Sequence, residues 1–164
     1  MSVTRDMVLA LRHPRRAARR QLSGAVGEER AFGYLAMACG LIFLGQWPRM
    51  ITSGQLTSDV PLEARIAATM LGWIFFAPLF FYALAGVLRL LGKLTGGQGT
   101  WLRSRIALFW SLLVASPLWL IYGLCVAILP EGLILAAVGL VALVMTVVII
   151  SGAIVEAERP GNVV

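Results

Sequence analysis

Five arginines near the N-terminus, Arg12, Arg15, Arg16, Arg19 and Arg20, are the residues whose spacing most clearly suits them to bind something. Arg12, Arg15, Arg16 and Arg19 stand at i, i+3, i+4 and i+7, which places them along one face of a helix, with Leu11, Ala18, Leu22 and Ala25 opposite. Guanidinium groups in such a row suit phosphates and carboxylates. The pattern predicts a basic amphipathic helix lying on an anionic leaflet, where each arginine near the headgroups contributes about 1 kcal/mol. Two other readings use the same residues: the arginines only fix membrane topology, or they grip the acidic surface of a protein partner.

The remaining candidates for chemistry are few. His13 is the single histidine, and it precedes Pro14 in this same basic segment. Imidazole ligation of haem and a histidine-based dyad are therefore excluded within the apolar stretches. Cys39 and Cys125 each sit inside an apolar run and read as small apolar side chains rather than a disulfide or metal pair. The loop Thr95-Gly-Gly-Gln-Gly-Thr lacks the Lys-Ser/Thr of a phosphate-binding loop and follows no strand, so it reads as a flexible return at the membrane surface with Trp101 as interfacial anchor. Intramembrane polarity reduces to Gln46, Thr69, Ser111, Ser116, Thr146 and Ser151, most of which can bond back to a helical carbonyl. No catalytic residue, metal ligand set or cofactor site emerges, and neither cofactor nor enzymatic activity is expected.

The elements that carry these residues follow from composition. Of 164 residues 59% are hydrophobic and 13% charged, about half the charge of an average soluble domain. Such a chain is not a nucleic-acid-binding domain, a disordered tail or a disulfide scaffold, and no nucleic-acid partner is expected. Crossing a hydrocarbon core of about 30 Å takes roughly 20 apolar residues at 1.5 Å each. Four runs qualify, at about 31–48, 66–88, 106–129 and 132–155. They are preceded by the basic segment 1–30 and followed by a short tail, 156–164. The fold class expected is all-α, a polytopic transmembrane helical bundle of about four spans. Pro130 and Glu131 alone separate the last two, which forces a tight antiparallel hairpin. The longer 49–65 loop includes the start of an amphipathic turn at Asp59.

Pro78 and Pro117 fall inside the second and third spans and should kink them. Arg65-Ile-Ala and Arg105-Ile-Ala precede these prolines by thirteen and twelve residues, a faint internal echo. Small residues four apart, as in Ala36 and Gly40, Ala68 and Gly72, Ser111 and Ala115, or Gly132 and Ala136, would permit close helix contact. With the N-terminus inside, twelve basic residues fall on the cytoplasmic side and two outside, so both termini are expected in the cytoplasm. Thirteen arginines to one lysine suggest a GC-rich coding sequence. The expected location is a bacterial cytoplasmic (inner) membrane. Residues 1–30 show no cleavable signal, and the first span is expected to stay in the protein.

The segment Leu90-Leu-Gly-Lys-Leu-Thr-Gly-Gly-Gln-Gly-Thr-Trp, followed by a span carrying Ser-Pro-Leu, resembles bacterial members of the Yip (Ypt-interacting protein) membrane family. The likeness covers roughly residues 28–158. Family members usually have about five spans, and four are read here. The resemblance implies a small helical membrane protein that acts by interaction rather than catalysis. The function expected is a non-enzymatic integral membrane protein binding lipid, through anionic headgroups at the arginines, or membrane-protein partners, including copies of itself. Alternatives are an accessory subunit of a respiratory or photosynthetic complex and a small transporter. The uncharged spans count against the transporter.

Overall fold

A computed structural model describes residues 14–22, 27–54, 61–130 and 132–159. Leu11, Arg12, His13 and Ala25 lie outside the described residues, as do 55–60 of the first loop and Glu131. The elements are α1 (Pro14–Leu22), α2 (Glu28–Gly54), α3 (Leu62–Leu71), a π-helical turn (Gly72–Phe76), α4 (Ala77–Leu94), α5 (Trp101–Ile128) and α6 (Leu133–Ala157). No strand occurs among the described residues, and the fold is an all-α bundle. Helix α3, the π turn and α4 join into one rod. With α2, α5 and α6 it makes four helices long and apolar enough to cross a membrane. The chain is a multi-pass membrane protein. Each helix runs past its apolar stretch: α2 extends to Gly54, well into the segment expected as loop, because helical bonding continues beyond the last residue that lipid requires.

Helix α5 is the axis of the bundle. Ile106 to Ser116 are all buried, over three turns, so every face of the helix is covered there. Tyr34 of α2 meets Trp110 edge-on at 5.2 Å between ring centroids, and Tyr82 of α4 meets Phe109 at 4.9 Å. From Pro117 onward α5 is mostly half-buried, so the dense core lies toward one end. That end gathers α1, the start of α2, the end of α4, the start of α5 and the end of α6, and is called the basic end below. Outward-facing side chains such as Phe75, Phe76, Leu79, Leu133, Ile134 and Val141 are apolar and exposed, as lipid demands and water would not tolerate.

The two prolines act differently. Pro117 lies within an unbroken α-helix, and its missing N–H orphans the carbonyl of Leu113. The Ser116 hydroxyl donates to that carbonyl at 2.8 Å, filling the gap from one residue away. Before Pro78 the helix widens instead. The Ala77 N–H reaches back five residues to the Gly72 carbonyl, giving the π turn that accommodates the ring. The Ser116 and Pro117 pair therefore predicts a strong energetic coupling. Ser116→Ala should destabilise the protein by about 1 to 3 kcal/mol by leaving the Leu113 carbonyl unsatisfied. In a Pro117→Ala background, where the new N–H takes over the bond, the same change should be close to neutral. Unfolding in mixed detergent micelles measures the cycle.

Five of the six intramembrane polar residues bond to their own helix: Thr69 to Arg65, Ser111 to Ala107, Ser116 to Leu113, Thr146 to Ala142 and Ser151 to Val148. The expected Ala36 and Gly40 contact does not form. A side chain at Gly40 would meet nothing, and both residues line an apolar cleft of about 330 Å³ between α2 and the α3–α4 rod, with Trp73 and Pro78 on its far wall. The close crossing of α2 falls five residues on, at Gly45, against Gly123 of α5.

Candidate functional site

Helix α1 has nine residues, too few to hold its shape alone in water, and its order comes from docking. Ala17 and Ala18 are fully or nearly fully buried, and Ala18 packs with Ala107, Ala153 and Ala157, small side chains that let α1 lie close on α5 and α6. Gln21 continues the seam. Its side-chain carbonyl accepts from Arg30 at 2.6 Å and from the Tyr34 hydroxyl at 2.9 Å, tying α1 to α2. The face expected to enter the leaflet through Ala18 and Leu22 is thus seated on the bundle. Small alanines on one side of α1 find matching alanines on α6, and that shape fit uses the apolar face before lipid can.

The docking turns the other face outward. Arg15, Arg16, Arg19 and Arg20 are exposed, and with Arg159 and Glu156 from the end of α6 they line an open cleft of about 540 Å³. Arg12 lies outside the described residues. Among the described residues, five guanidiniums line the cleft with one carboxylate. Glu156 is almost wholly buried. Its Oε1 accepts from Arg19 Nε at 2.6 Å, and its Oε2 stands 3.4 Å from Arg159 Nη1 without a hydrogen bond. The one carboxylate thereby holds two arginines at the mouth, one from each end of the described chain. In the sequence Arg159 is one of the twelve basic residues counted on the cytoplasmic side, and Glu156 has no evident role. Their spacing of three on a helix that continues to Ala157 is the signal that links them.

A second cluster explains the glycine-rich loop. Gly96 has φ +82°, and the loop closes α4 with Gly97 N–H to the Gly92 carbonyl at 2.8 Å and Gly96 N–H to the Lys93 carbonyl at 3.1 Å, the bond pair of a Schellman ending. Into the space left by the missing side chains comes Glu158 from just past α6. Its Oε2 accepts from Arg89 at 2.8 Å and from the Gly99 N–H at 3.3 Å, and its Oε1 from Ser104 at 3.3 Å. Gln98 N–H also donates to the Glu158 backbone carbonyl at 3.0 Å. A Cβ on Gly92 would lie 2.5 Å from the Glu158 Cδ. The loop is a cradle for the protein's own carboxylate, a latch between α4, α5 and α6. Nearby, Arg105 pairs with Glu28 and stacks over the Tyr82 ring, joining α2, α4 and α5.

Cys39 and Cys125 are both free thiols. Among the described residues no group of three or more His, Cys, Asp or Glu is placed to hold a metal ion. No protein-family model, curated protein or solved structure matches the chain. The cleft between α2 and the α3–α4 rod is apolar, and the other is lined by arginines at the basic end. The basic cleft is the candidate site.

Proposed function

We propose that the protein is a non-enzymatic membrane protein that binds anionic phospholipid headgroups in the arginine cleft at its basic end, with that end and both termini in the cytoplasm. The observation that carries this reading is the convergence of Arg15, Arg16, Arg19, Arg20 and Arg159 on one open cleft with a single carboxylate among the described residues. Planar guanidinium groups bind phosphate through paired, charge-assisted hydrogen bonds, and a cleft at the end of the spans meets the headgroup layer. The loop and proline pattern at Leu90–Leu118 supports a Yip-type interaction protein, and the arginine-rich composition supports a bacterial cytoplasmic membrane.

Native mass spectrometry of the full chain, extracted in mild detergent, tests the headgroup reading. The wild type should retain anionic phospholipid, and the Arg15, Arg16, Arg19 and Arg20 to Gln quadruple variant should lose most of it. Raising salt should weaken retention, since charges at an exposed cleft are screened over about 8 Å at physiological ionic strength. Unchanged retention would overturn the proposal. A variant that keeps its lipid but loses a protein on purification would assign the arginines to an acidic partner instead.

Orientation has its own test. Reporters fused at Gly54 and at the C-terminus should lie on opposite sides of the membrane, with the C-terminal one cytoplasmic. Matching compartments would refute four crossings.

A further inference from the structure

The cleft has more than positive charge, and the extra feature narrows its ligand. Glu156 is held with its side chain 6% exposed. Its Oε1 is occupied by Arg19, while Oε2 is buried with no hydrogen-bond donor, and Arg159 remains in ion-pair range at 3.4 Å. A buried carboxylate oxygen without a donor is costly, so a donor supplied by the ligand would be bound strongly there. The carboxylate holds Arg19 and Arg159 at the mouth but repels a phosphate charge, and a hydroxyl donor on the ligand would offset that repulsion. Arg159 is half-exposed and can turn toward an incoming phosphate, which opens the path to Oε2.

Resting on the headgroup reading above, we infer that the cleft selects an anionic phosphodiester lipid whose headgroup carries hydroxyls, of the phosphatidylglycerol class. The phosphodiester oxygens accept from the arginines of α1 and from Arg159, and a headgroup hydroxyl donates to Glu156 Oε2. The cleft's net positive charge disfavours a headgroup bearing an ammonium, which would meet the same carboxylate but collide with five guanidiniums. Phosphatidic acid brings more negative charge but its phosphate hydroxyl is lost as it ionises, so it offers Glu156 no stable donor.

The test is calorimetric titration of the full chain in neutral detergent with dioctanoyl forms of phosphatidylglycerol, phosphatidic acid, phosphatidylethanolamine and phosphatidylcholine. Phosphatidylglycerol should bind about tenfold more tightly than phosphatidic acid, against the order of charge, as one charged hydrogen bond implies. In Glu156→Gln the preference should vanish, with phosphatidic acid binding as well as phosphatidylglycerol. Phosphatidic acid binding as tightly as phosphatidylglycerol to the wild type, with both lost in the four-arginine variant, would overturn this inference and leave the headgroup reading standing. Phosphatidylethanolamine binding as tightly as phosphatidylglycerol would also overturn it. Equal binding of all four lipids by the wild type and the four-arginine variant would overturn both.

Discussion

Replacing Glu158 by alanine should lower the stability of the protein by about 3 to 5 kcal/mol, the loss typical of breaking a buried ion pair from one side. The partner left behind is Arg89, whose side chain, like that of Glu158, is only 12% exposed. Its guanidinium sits at the end of α4 with no other acidic group bonded to it among the described contacts. The same change removes the acceptor for the Gly99 N–H and leaves the Ser104 hydroxyl only the Thr100 carbonyl of its own helix turn, so α4, α5 and α6 lose their common latch. Glu158→Gln should lose less, since an amide oxygen still accepts from Arg89 or Gly99.

The glycines of the loop give this prediction a second, sharper form. A methyl at Gly92 would have its three nearest contacts, at 2.5 to 2.9 Å, all on the side chain of Glu158, which is held on three sides and cannot swing away freely. Gly92→Ala should therefore destabilise the wild type. In Glu158→Ala the obstacle is gone, and the same change should stabilise α4 by up to about 1 kcal/mol through helix propensity alone. Thermal or detergent unfolding of the four proteins measures the reversal. Two destabilisations that simply add would show that the loop does not enclose the carboxylate.

Much of the architecture was legible because lipid enforces simple rules. A span must be about 20 apolar residues, and a hydroxyl inside it must bond to its own helix, so the four spans and the back-bonding of Thr69, Ser111, Ser116, Thr146 and Ser151 could be read directly. The arginine face of α1 was legible for the same reason of period. Its seat was not, because Ala17 and Ala18 carry no more apolar signal than a surface helix would, and what holds them lies elsewhere in the chain, the alanines of α5 and α6 for Ala18 and the main core for Ala17. The glycine-rich loop shows the same limit. Its composition marks a turn, but the carboxylate that requires Gly92 and Gly97 to be small comes from Glu158, more than 50 residues away. Spacing of small residues also misplaced a contact. Gly40 fits the four-residue rule and faces open space, whereas Gly45 fits no such pair and carries the crossing, because the angle between α2 and α5 selects the register.

That crossing should be the most sensitive point in the half of the bundle away from the basic end. A Cβ on Gly123 would overlap the backbone carbonyl of Gly45, and one on Gly45 would lie 3.2 Å from the Leu120 Cα and the Trp119 carbonyl oxygen. Both surfaces are backbone, so no rotamer change relieves the contact, and the helices must part. In a membrane, helices associate largely through such close packing rather than through the hydrophobic effect, and parting them leaves no compensating gain. Gly123→Ala should cost about 3 kcal/mol, at the upper end of overpacking effects. Gly139→Ala supplies the comparison. Its methyl would come within 2.9 Å of the Tyr122 ring edge, a side chain that can turn, and the loss should be about 1 kcal/mol. Gly40→Ala, facing the open apolar cleft, should be neutral or mildly stabilising. Unfolding in mixed micelles should rank the variants in that order, with Gly123→Ala lowest. A Gly123→Ala protein as stable as Gly40→Ala would mean that α2 and α5 do not cross with their backbones in contact.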